Sequence, residues 1–203
     1  MTKPRLTYFD FPGGRGEDSR LALFLAGVDF EDNRVKFSAW RELKPSTPFG
    51  GIPTLEVEGK GVLAQSNALL VYIGREHGLH PADNWEAARH EALLAAVEEL
   101  RGVLASTLSI KDEDEKRRAR EEMAAGVMQT WAANVERYIG AGGPFVAGET
   151  VNVIDLKLFV LVKWFASGAL DHVPTDVFKN FPRLMGIYEA VKAHPKVVEW
   201  YAR

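Results

Sequence analysis

The sequence predicts a two-part protein in which a mixed α/β unit is followed by an all-helical unit. Strand-like and helix-like segments follow one another in the first 78 residues in the order β-α-β-α-β-β-α. After the segment GLHPADNW at residues 78–85, only helical periodicity remains. A chain of 203 residues is long enough for two small domains, and we predict them at residues 1–78 and 86–203 with a linker at residues 79–85.

The elements of the first part are predicted from residue type, turn signals and helical spacing. The predicted strands are Arg5–Phe9, Glu31–Val35, Thr54–Val57 and Val62–Ala64, and the predicted helices are Glu17–Ala26, Ala39–Leu43 and Ser66–Glu76. Glycine ends two of these helices, at Gly27 and Gly78. The turn Glu58-Gly59-Lys60-Gly61 joins the last two strands into a hairpin.

The second part is predicted to contain helices only. The predicted helices are Glu86–Ser109, Glu113–Ile139, Asn152 to about Leu170, Pro182–Ala193 and Pro195–Tyr201. Asn152 and Asp155 have the spacing of a capping box, so we assign Asp155 to folding rather than to catalysis. The last two helices each begin with a proline in the first turn.

Composition excludes several classes of function. A net charge of −3 provides no strong field for nucleic acid or an anionic membrane. The chain has no cysteine, which excludes a CxxC redox motif and a cysteine nucleophile. The apolar stretch Val151 to Leu170 carries Asp155, Lys157 and Lys163, so we expect a buried helix rather than a membrane span. No signal-peptide pattern opens the chain, and we expect a cytoplasmic protein without a metal site.

Short segments along nearly the whole chain resemble the sigma-like class of cytosolic glutathione S-transferases. The segments are Leu6-Thr7-Tyr8-Phe9-Asp10, Gly14-Arg15-Gly16-Glu17, Trp40 with Lys44, residues 49–55 (FGGIPTL), residues 65–69 (QSNAL), Asn152–Asp155, and residues 182–195. The resemblance implies a thioredoxin-like α/β domain followed by an all-helical domain. It also implies glutathione as co-substrate and a homodimer, with neither nucleic acid nor membrane as partner.

The resemblance assigns catalysis to Tyr8 and Arg15. Because the chain lacks cysteine, thiol chemistry here must use the sulfur of the ligand. A hydroxyl that donates to the sulfur favours thiolate over thiol, and a nearby cation acts in the same direction. The loop Phe11-Pro12-Gly13 is one residue longer than the family pattern, which leaves the alignment of Arg15 dependent on the position of the extra residue.

The resemblance also implies the residues that hold the two substrates. Glutathione would contact Tyr8, Trp40, Lys44, Gly51, Ile52, Pro53, Gln65, Ser66 and Glu99, with Glu98 as the alternative to Glu99. The family has a cis peptide before the matching proline, and a helix N-terminus at Ser66 suits a carboxylate. The acidic residue would reach across a dimer to the neighbouring subunit. The electrophile would lie among Phe9, Phe11, Leu100, Val103 and Leu104.

The predicted activity is conjugation of the glutathione thiolate to small electrophiles. Three alternatives remain open: a non-enzymatic ligand-binding or crystallin-like structural protein, glutathione-dependent peroxide reduction, and prostaglandin isomerisation. The last is disfavoured, because an aromatic wall is expected there and residues 100–109 contain neither tryptophan nor phenylalanine.

Overall fold

A four-stranded sheet forms the first part of the molecule. The computed structural model describes residues 3–140 and 142–203. The strands are β1 (Arg5–Phe9), β2 (Glu31–Val35), β3 (Thr54–Val57) and β4 (Gly61–Ala64), in the order β2-β1-β3-β4. β1 and β2 run parallel, whereas the β1–β3 and β3–β4 pairs are antiparallel. The parallel pair requires a crossover, which the helix between β1 and β2 provides.

Helices cover the sheet and form the whole of the second part. They are α1 (Gly14–Leu25), α2 (Trp40–Leu43), α3 (Ser66–His77), α4 (Asn84–Leu108), α5 (Glu113–Ala125), α6 (Val127–Ile139), α7 (Val153–Ala166), α8 (Pro182–Ala193) and α9 (Pro195–Tyr201). Short 3-10 turns flank α2 on both sides. The predicted architecture, a thioredoxin-like α/β domain followed by an all-helical domain, is confirmed.

Several predicted helix boundaries differ from the structure, most of them by one residue. α1 begins at Gly14 rather than Glu17, and α4 begins at Asn84 rather than Glu86. The earlier start of α4 has a clear cause, because the Asp83 carboxylate accepts hydrogen bonds from the backbone of Trp85 and Glu86, each at 3.0 Å.

The prediction of one helix over Glu113–Ile139 is wrong, because the chain leaves helical geometry at Gly126 (φ −106°, ψ −91°). Glycine weakens a helix interior by about 1 kcal/mol relative to alanine. The break also places the Gln129 side chain where it donates to the carbonyls of Ala124 and Val177, each at 3.0 Å.

The prediction for α7 is too long by one turn at its C-terminal end. α7 ends at Ala166 because Gly168 adopts φ +71°, a left-handed conformation that does not continue a helix. The N-terminal prediction for α7 agrees with the structure. The buried Asp155 carboxylate accepts from the backbone of Asn152 and Val146, each at 2.8 Å.

α1 joins the two domains. It packs on α3 of the first domain and on α7 and α9 of the second. Trp200 donates to the Glu17 carboxylate at 2.8 Å, and the Lys196 ammonium donates to the Leu25 carbonyl at 2.9 Å. α9 therefore contacts α1 both in its first half, at Glu17, and at its last residue, Leu25. The exact domain limits stay a prediction.

Within residues 3–140 and 142–203, no helix is both long enough and apolar enough to cross a bilayer. The apolar stretch noted in the sequence is α7, whose residues are nearly all buried between the other helices and α1.

Candidate active site

Tyr8 lies near the end of β1 with its side chain only 6% exposed. The backbone N–H of Arg15, at the start of α1, donates to the Tyr8 hydroxyl at 3.3 Å. Burial raises the pKa of the Tyr8 phenol, and the Arg15 N–H opposes that rise. The phenol is therefore protonated at neutral pH and can act as a hydrogen-bond donor.

Glycines allow α1 to approach Tyr8 this closely. A Cβ atom placed on Gly16 would lie 2.1 Å from the Tyr8 ring, and one placed on Gly14 would lie 2.8 Å from the Tyr8 hydroxyl oxygen. Gly14 also has φ +65°, which favours glycine for a second reason. The motif Gly14-Arg15-Gly16 thus packs the helix start against the tyrosine, a role that the sequence alone did not indicate.

A buried arginine holds the loop between β1 and α1. Arg20 is fully buried and donates to the carbonyls of Phe9 at 3.1 Å and Phe11 at 3.0 Å. It also donates to the Asp32 carboxylate of β2 at 3.0 Å. The loop Phe11-Pro12-Gly13 is therefore anchored, and the Arg15 N–H reaches Tyr8.

A cleft of about 690 Å³ opens beside Arg15, between the turn before β3, the start of α3 and one face of α4. Its lining includes the predicted residues Arg15, Gly51, Ile52, Pro53, Gln65, Ser66 and Glu99. A slightly larger hollow of about 740 Å³ lies between α1, β2 and α9, and none of the predicted site residues lines it. The cleft beside Arg15 is therefore the candidate binding site.

The turn at one side of the cleft has the backbone geometry that the resemblance implies. The Ile52–Pro53 peptide is cis, and Gly51 has open space where a side chain would stand. Gln65, directly before α3, is a non-glycine residue with φ +74°. Such conformations cost about 1–3 kcal/mol and concentrate at functional sites.

Ser66 begins α3 and faces the acidic residue of α4. Its side chain is largely buried, and its hydroxyl donates to Glu98 Oε1 at 3.4 Å. The first N–H groups of a helix have no intrahelical partner and carry partial positive charge. The cleft thus presents donors suited to a carboxylate at this end.

Trp40 and Lys44 are outside the set of residues that line the cleft. The Trp40 ring contacts Phe9 edge-on at 5.5 Å between centroids, and Lys44 is exposed on the segment after α2. Neither residue lines the cleft in the part of the chain that the structure describes. Their predicted contact with glutathione stays a prediction.

Glu98 is engaged within the chain, whereas Glu99 is not. Glu98 Oε2 accepts from Arg15 Nε at 2.6 Å, and Glu98 Oε1 accepts from Lys157 at 2.5 Å and from Arg101 at 3.1 Å. Burial raises the pKa of Glu98, but these three cations outweigh burial and lower it to about 2. Glu99 is exposed at the cleft edge, and the described residues offer it no hydrogen bond or ion pair.

Behind Glu98 lies a cluster of buried charges that sequence reasoning did not find. Arg101 of α4 donates to both oxygens of Asp18 in α1, at 2.7 and 3.0 Å, and Lys157 lies 3.7 Å from the same carboxylate. Asp18 and Lys157 are fully buried. One sign of this cluster can be seen in the sequence, because Lys157 is a charged residue within an otherwise apolar helical stretch.

Aromatic rings form an apolar surface next to Tyr8. Phe9 stacks on Phe37 with centroids 4.4 Å apart, and Phe11 lies 5.7 Å from the Tyr8 ring. Phe37 is 65% exposed and was not predicted to belong to the site. Phe37 lies between the polar residues Lys36 and Ser38, in a segment too short to show the periodicity of a helix or a strand.

The prediction that Leu100 and Leu104 line the electrophile site is not supported. Both side chains point into the core of the helical domain and are essentially inaccessible to solvent. Val103 lies on the outer face of α4 and is 39% exposed, so it alone of the three offers surface to a ligand. Leu100 and Leu104 continue the buried face that Leu93 and Val97 begin, whereas Val103 lies at the edge of that face.

One exposed group of possible metal ligands exists within the described residues, formed by Glu113, Asp171 and His172. The buried Arg120 already donates to the Asp171 carboxylate. This group lies on α5 and the segment after α7, apart from the cleft.

A thioredoxin-like α/β domain followed by an all-helical domain, with a cleft lined by residues of both, defines the fold class of the protein. Comparisons with known families agree with this class. The model of the glutathione S-transferase N-terminal domain matches residues 4–75, and that of the C-terminal domain matches residues 98–203. The chain belongs to the glutathione S-transferase family.

Individual relatives cover essentially the whole chain. Glutathione S-transferase 1 of Ascaris suum is 32% identical over 207 aligned positions, which span 100% of this chain and 97% of the relative. Hematopoietic prostaglandin D synthase of Gallus gallus is 28% identical, over 98% of this chain and 96% of the relative. The solved glutathione S-transferase of Ascaris lumbricoides is 31% identical with a TM-score of 0.78, covering 99% of this chain and 97% of that chain. The sigma-like class stays a prediction.

Proposed function

We propose that this chain ionises the thiol of glutathione through Tyr8 and transfers the thiolate to small electrophiles. The observation that carries the proposal is the buried, protonated Tyr8 hydroxyl, which does not itself line the cleft but accepts the N–H of Arg15, a residue that does. A free thiol has a pKa of about 8.5, and lowering it by about two units requires about 2.7 kcal/mol. One charge-assisted hydrogen bond contributes about 1.5–3 kcal/mol, so Tyr8 supplies most of that stabilisation.

Arg15 would supply the remaining electrostatic stabilisation. Its guanidinium lines the cleft and is held by Glu98 at 2.6 Å, so its charge has a defined position. A fixed cation near a sulfur favours the thiolate over the thiol. The Arg15 backbone and side chain therefore serve two separate functions, one toward Tyr8 and one toward the ligand.

The peptide part of glutathione would bind along the cleft by its backbone. The backbone of Ile52, which lines the cleft, would pair with the extended peptide. The γ-glutamyl carboxylate would lie at the start of α3, against Ser66 and the free N–H groups. Gly51 provides no side chain, so open space remains where the glycine end of glutathione would lie.

Glu99 is the acidic residue available for a partner subunit. The Glu98 carboxylate already accepts hydrogen bonds from three cations, whereas Glu99 is exposed at the cleft edge without a partner in the described residues. We therefore propose a two-fold dimer in which Glu99 contacts the γ-glutamyl amine bound by the neighbouring chain. Gel filtration of wild type that shows a fully active monomer would exclude this arrangement.

The electrophile would bind on the aromatic surface formed by Phe9, Phe11 and Phe37, with Val103 on the facing helix. This surface adjoins Tyr8 and is apolar and partly exposed. Apolar surfaces of this kind discriminate weakly between similar ligands, by about 1–3 kcal/mol per methylene. We therefore expect broad rather than narrow electrophile specificity.

Two measurements on the purified chain test the proposed activity. We expect retention on immobilised glutathione and turnover of a chloronitrobenzene with glutathione. Retention without turnover would favour a binding or structural role. Turnover of cumene hydroperoxide without conjugation would instead favour peroxide reduction by the same thiolate.

A further inference from the structure

Lys157 in α7 reaches from the helical domain to the residues of the cleft. Its side chain is fully buried, and its ammonium donates to Asn67 Oδ1 at 2.7 Å and to Glu98 Oε1 at 2.5 Å. Fully buried lysines are rare, and they require partners for their charge. Here one partner belongs to the first turn of α3 and the other to α4, at the two sides of the cleft.

Glu98 connects Lys157 to the residues that are proposed to act on the thiol. Lys157 and Arg101 occupy Glu98 Oε1, which leaves Glu98 Oε2 directed at Arg15 Nε, 2.6 Å away. The Arg15 backbone N–H in turn donates to the Tyr8 hydroxyl. A continuous set of contacts therefore runs from α7 to the proposed catalytic hydroxyl.

The five charged residues of this set are three cations and two carboxylates. Arg101 is matched by Asp18, to which it donates with two nitrogens. Arg15 is matched by Glu98, and Lys157 adds a further cation against these two carboxylates. Without Lys157 two cations and two carboxylates remain, so its removal leaves no unpaired buried charge among these five residues. This balance makes a folded variant without Lys157 attainable.

We propose that Lys157 is a positioning residue for thiol ionisation: it fixes Glu98, and through it the Arg15 cation, relative to Tyr8. The inference rests on the proposed function, because it concerns the same thiolate. Asn67 gives Lys157 a second role, since one ammonium then sets the distance between the start of α3 and the Arg15 end of the cleft. The helical domain thereby determines the geometry of a site that the first domain largely forms.

The test is a titration of bound glutathione in wild type and in Lys157→Met, which keeps the length of the side chain without its charge. Thiolate absorbance in the ultraviolet gives the pKa of the bound thiol. We expect the pKa to rise by about one unit in the variant, because Glu98 no longer fixes the Arg15 cation in its position beside the sulfur. The kcat/KM with a chloronitrobenzene should then fall about tenfold below the thiol pKa and remain unchanged well above it.

Arg120→Met is the matched control. Arg120 is a buried cation of the helical domain that binds Thr107 and Asp171 and contacts no residue of the cleft. We expect it to lower the melting temperature and to leave the pKa of the bound thiol at the wild-type value. A purely structural role of Lys157 predicts the same outcome for Lys157→Met, namely lower stability with an unshifted pKa.

Glu98→Gln interrupts the same contacts at a partly exposed position. If Lys157→Met does not fold, this second variant tests the positioning role. Loss of the Glu98 charge by itself would lower the thiol pKa. The positioning role instead predicts that the thiol pKa rises in Glu98→Gln, because Arg15 is no longer held, and that it rises no further when both substitutions are combined. A wild-type thiol pKa in either folded single variant would overturn the positioning role. If wild type itself does not lower the thiol pKa, the proposed function fails instead, so the two failures are distinguishable.

Discussion

The two ends of the candidate site are built in different ways. The end proposed to bind glutathione is held by buried charges from α1, α4 and α7, with Glu98 at their centre. The end proposed to bind the electrophile consists of aromatic rings, of which Phe37 is mostly exposed. Hydrogen-bonded charges have few acceptable geometries, whereas stacked rings can shift at small cost. Under the proposed function, the chain would fix the position of glutathione closely and that of the electrophile only loosely.

The largest effect should follow the loss of the Tyr8 hydroxyl. In Tyr8→Phe we expect kcat/KM for conjugation to fall by about 100-fold, because a donor to the developing anion is removed. The loss should be greatest below the thiol pKa and shrink as the pH rises and the thiol ionises unaided. A pH series of kcat/KM measures this dependence, and full activity in Tyr8→Phe would exclude the mechanism.

Gly16→Ala should damage the rigid end of the site through packing. The new Cβ would overlap the Tyr8 ring, so either the ring or α1 must move, and we expect a stability loss of about 1–3 kcal/mol together with reduced conjugation. Urea denaturation and turnover assays measure the two effects. Gly102→Ala is the matched control, since nothing lies within 4 Å of its Cβ and alanine favours a helix by about 0.5–1 kcal/mol. Equal effects of both substitutions would contradict the packing argument.

Acid should weaken the charged end of the site through Glu98. Its pKa is about 2 in the folded chain against 4.5 ordinarily, so its contribution is complete above about pH 4.5 and is lost as the pH falls through about 2. We expect Glu98→Gln to lower the free energy of unfolding by about 2 kcal/mol at neutral pH and by much less near pH 2. Urea denaturation across this range provides the measurement.

Glu99→Gln is the control for this pH dependence. Glu99 is exposed and has no ion pair within residues 3–140 and 142–203, so its substitution should change the free energy of unfolding little at any pH. A stability difference between wild type and Glu98→Gln that does not vary with pH would show that the Glu98 charge is not the stabilising feature.

The smallest effect should come from the aromatic end. In Phe37→Ala we expect the KM for an apolar electrophile to rise about threefold, because an exposed ring loses only part of its apolar contact. The KM for glutathione and the pKa of its thiol should be unchanged. Val62→Ala, at another exposed apolar position, should change neither constant. A rise in the KM for glutathione in Phe37→Ala would remove the distinction between the two ends.

Local sequence signals predicted most of the fold. Strand periodicity, glycine stops and helix-opening prolines placed β1 to β3, α8 and α9 at their observed limits. The main failures were the break at Gly126 and the length of α7, where a single glycine outweighed an otherwise helical pattern. Helical periodicity averages over many residues, so it does not register one backbone conformation.

The site was predicted less completely, because side-chain partners depend on distant parts of the chain. Arg15 and Glu98 are 83 residues apart in sequence, and Lys157 and Glu98 are 59 apart. The sequence offered Glu98 and Glu99 as alternatives and gave no partner for Lys157. Leu100 and Leu104 were placed in the site only because the facing side of α4 was not known.

By itself, the sequence determined the order of elements, the placement of Tyr8 and Ser66 at element ends, and the absence of a protein thiol. These features depend on residues close together in the chain. The tertiary structure alone decided that Glu98 is neutralised within the chain, that Glu99 faces outward, and that Lys157 links α7 to the cleft. Coulomb interactions and burial depend on distance in space, and only the packing of α1, α4 and α7 brings these charges together.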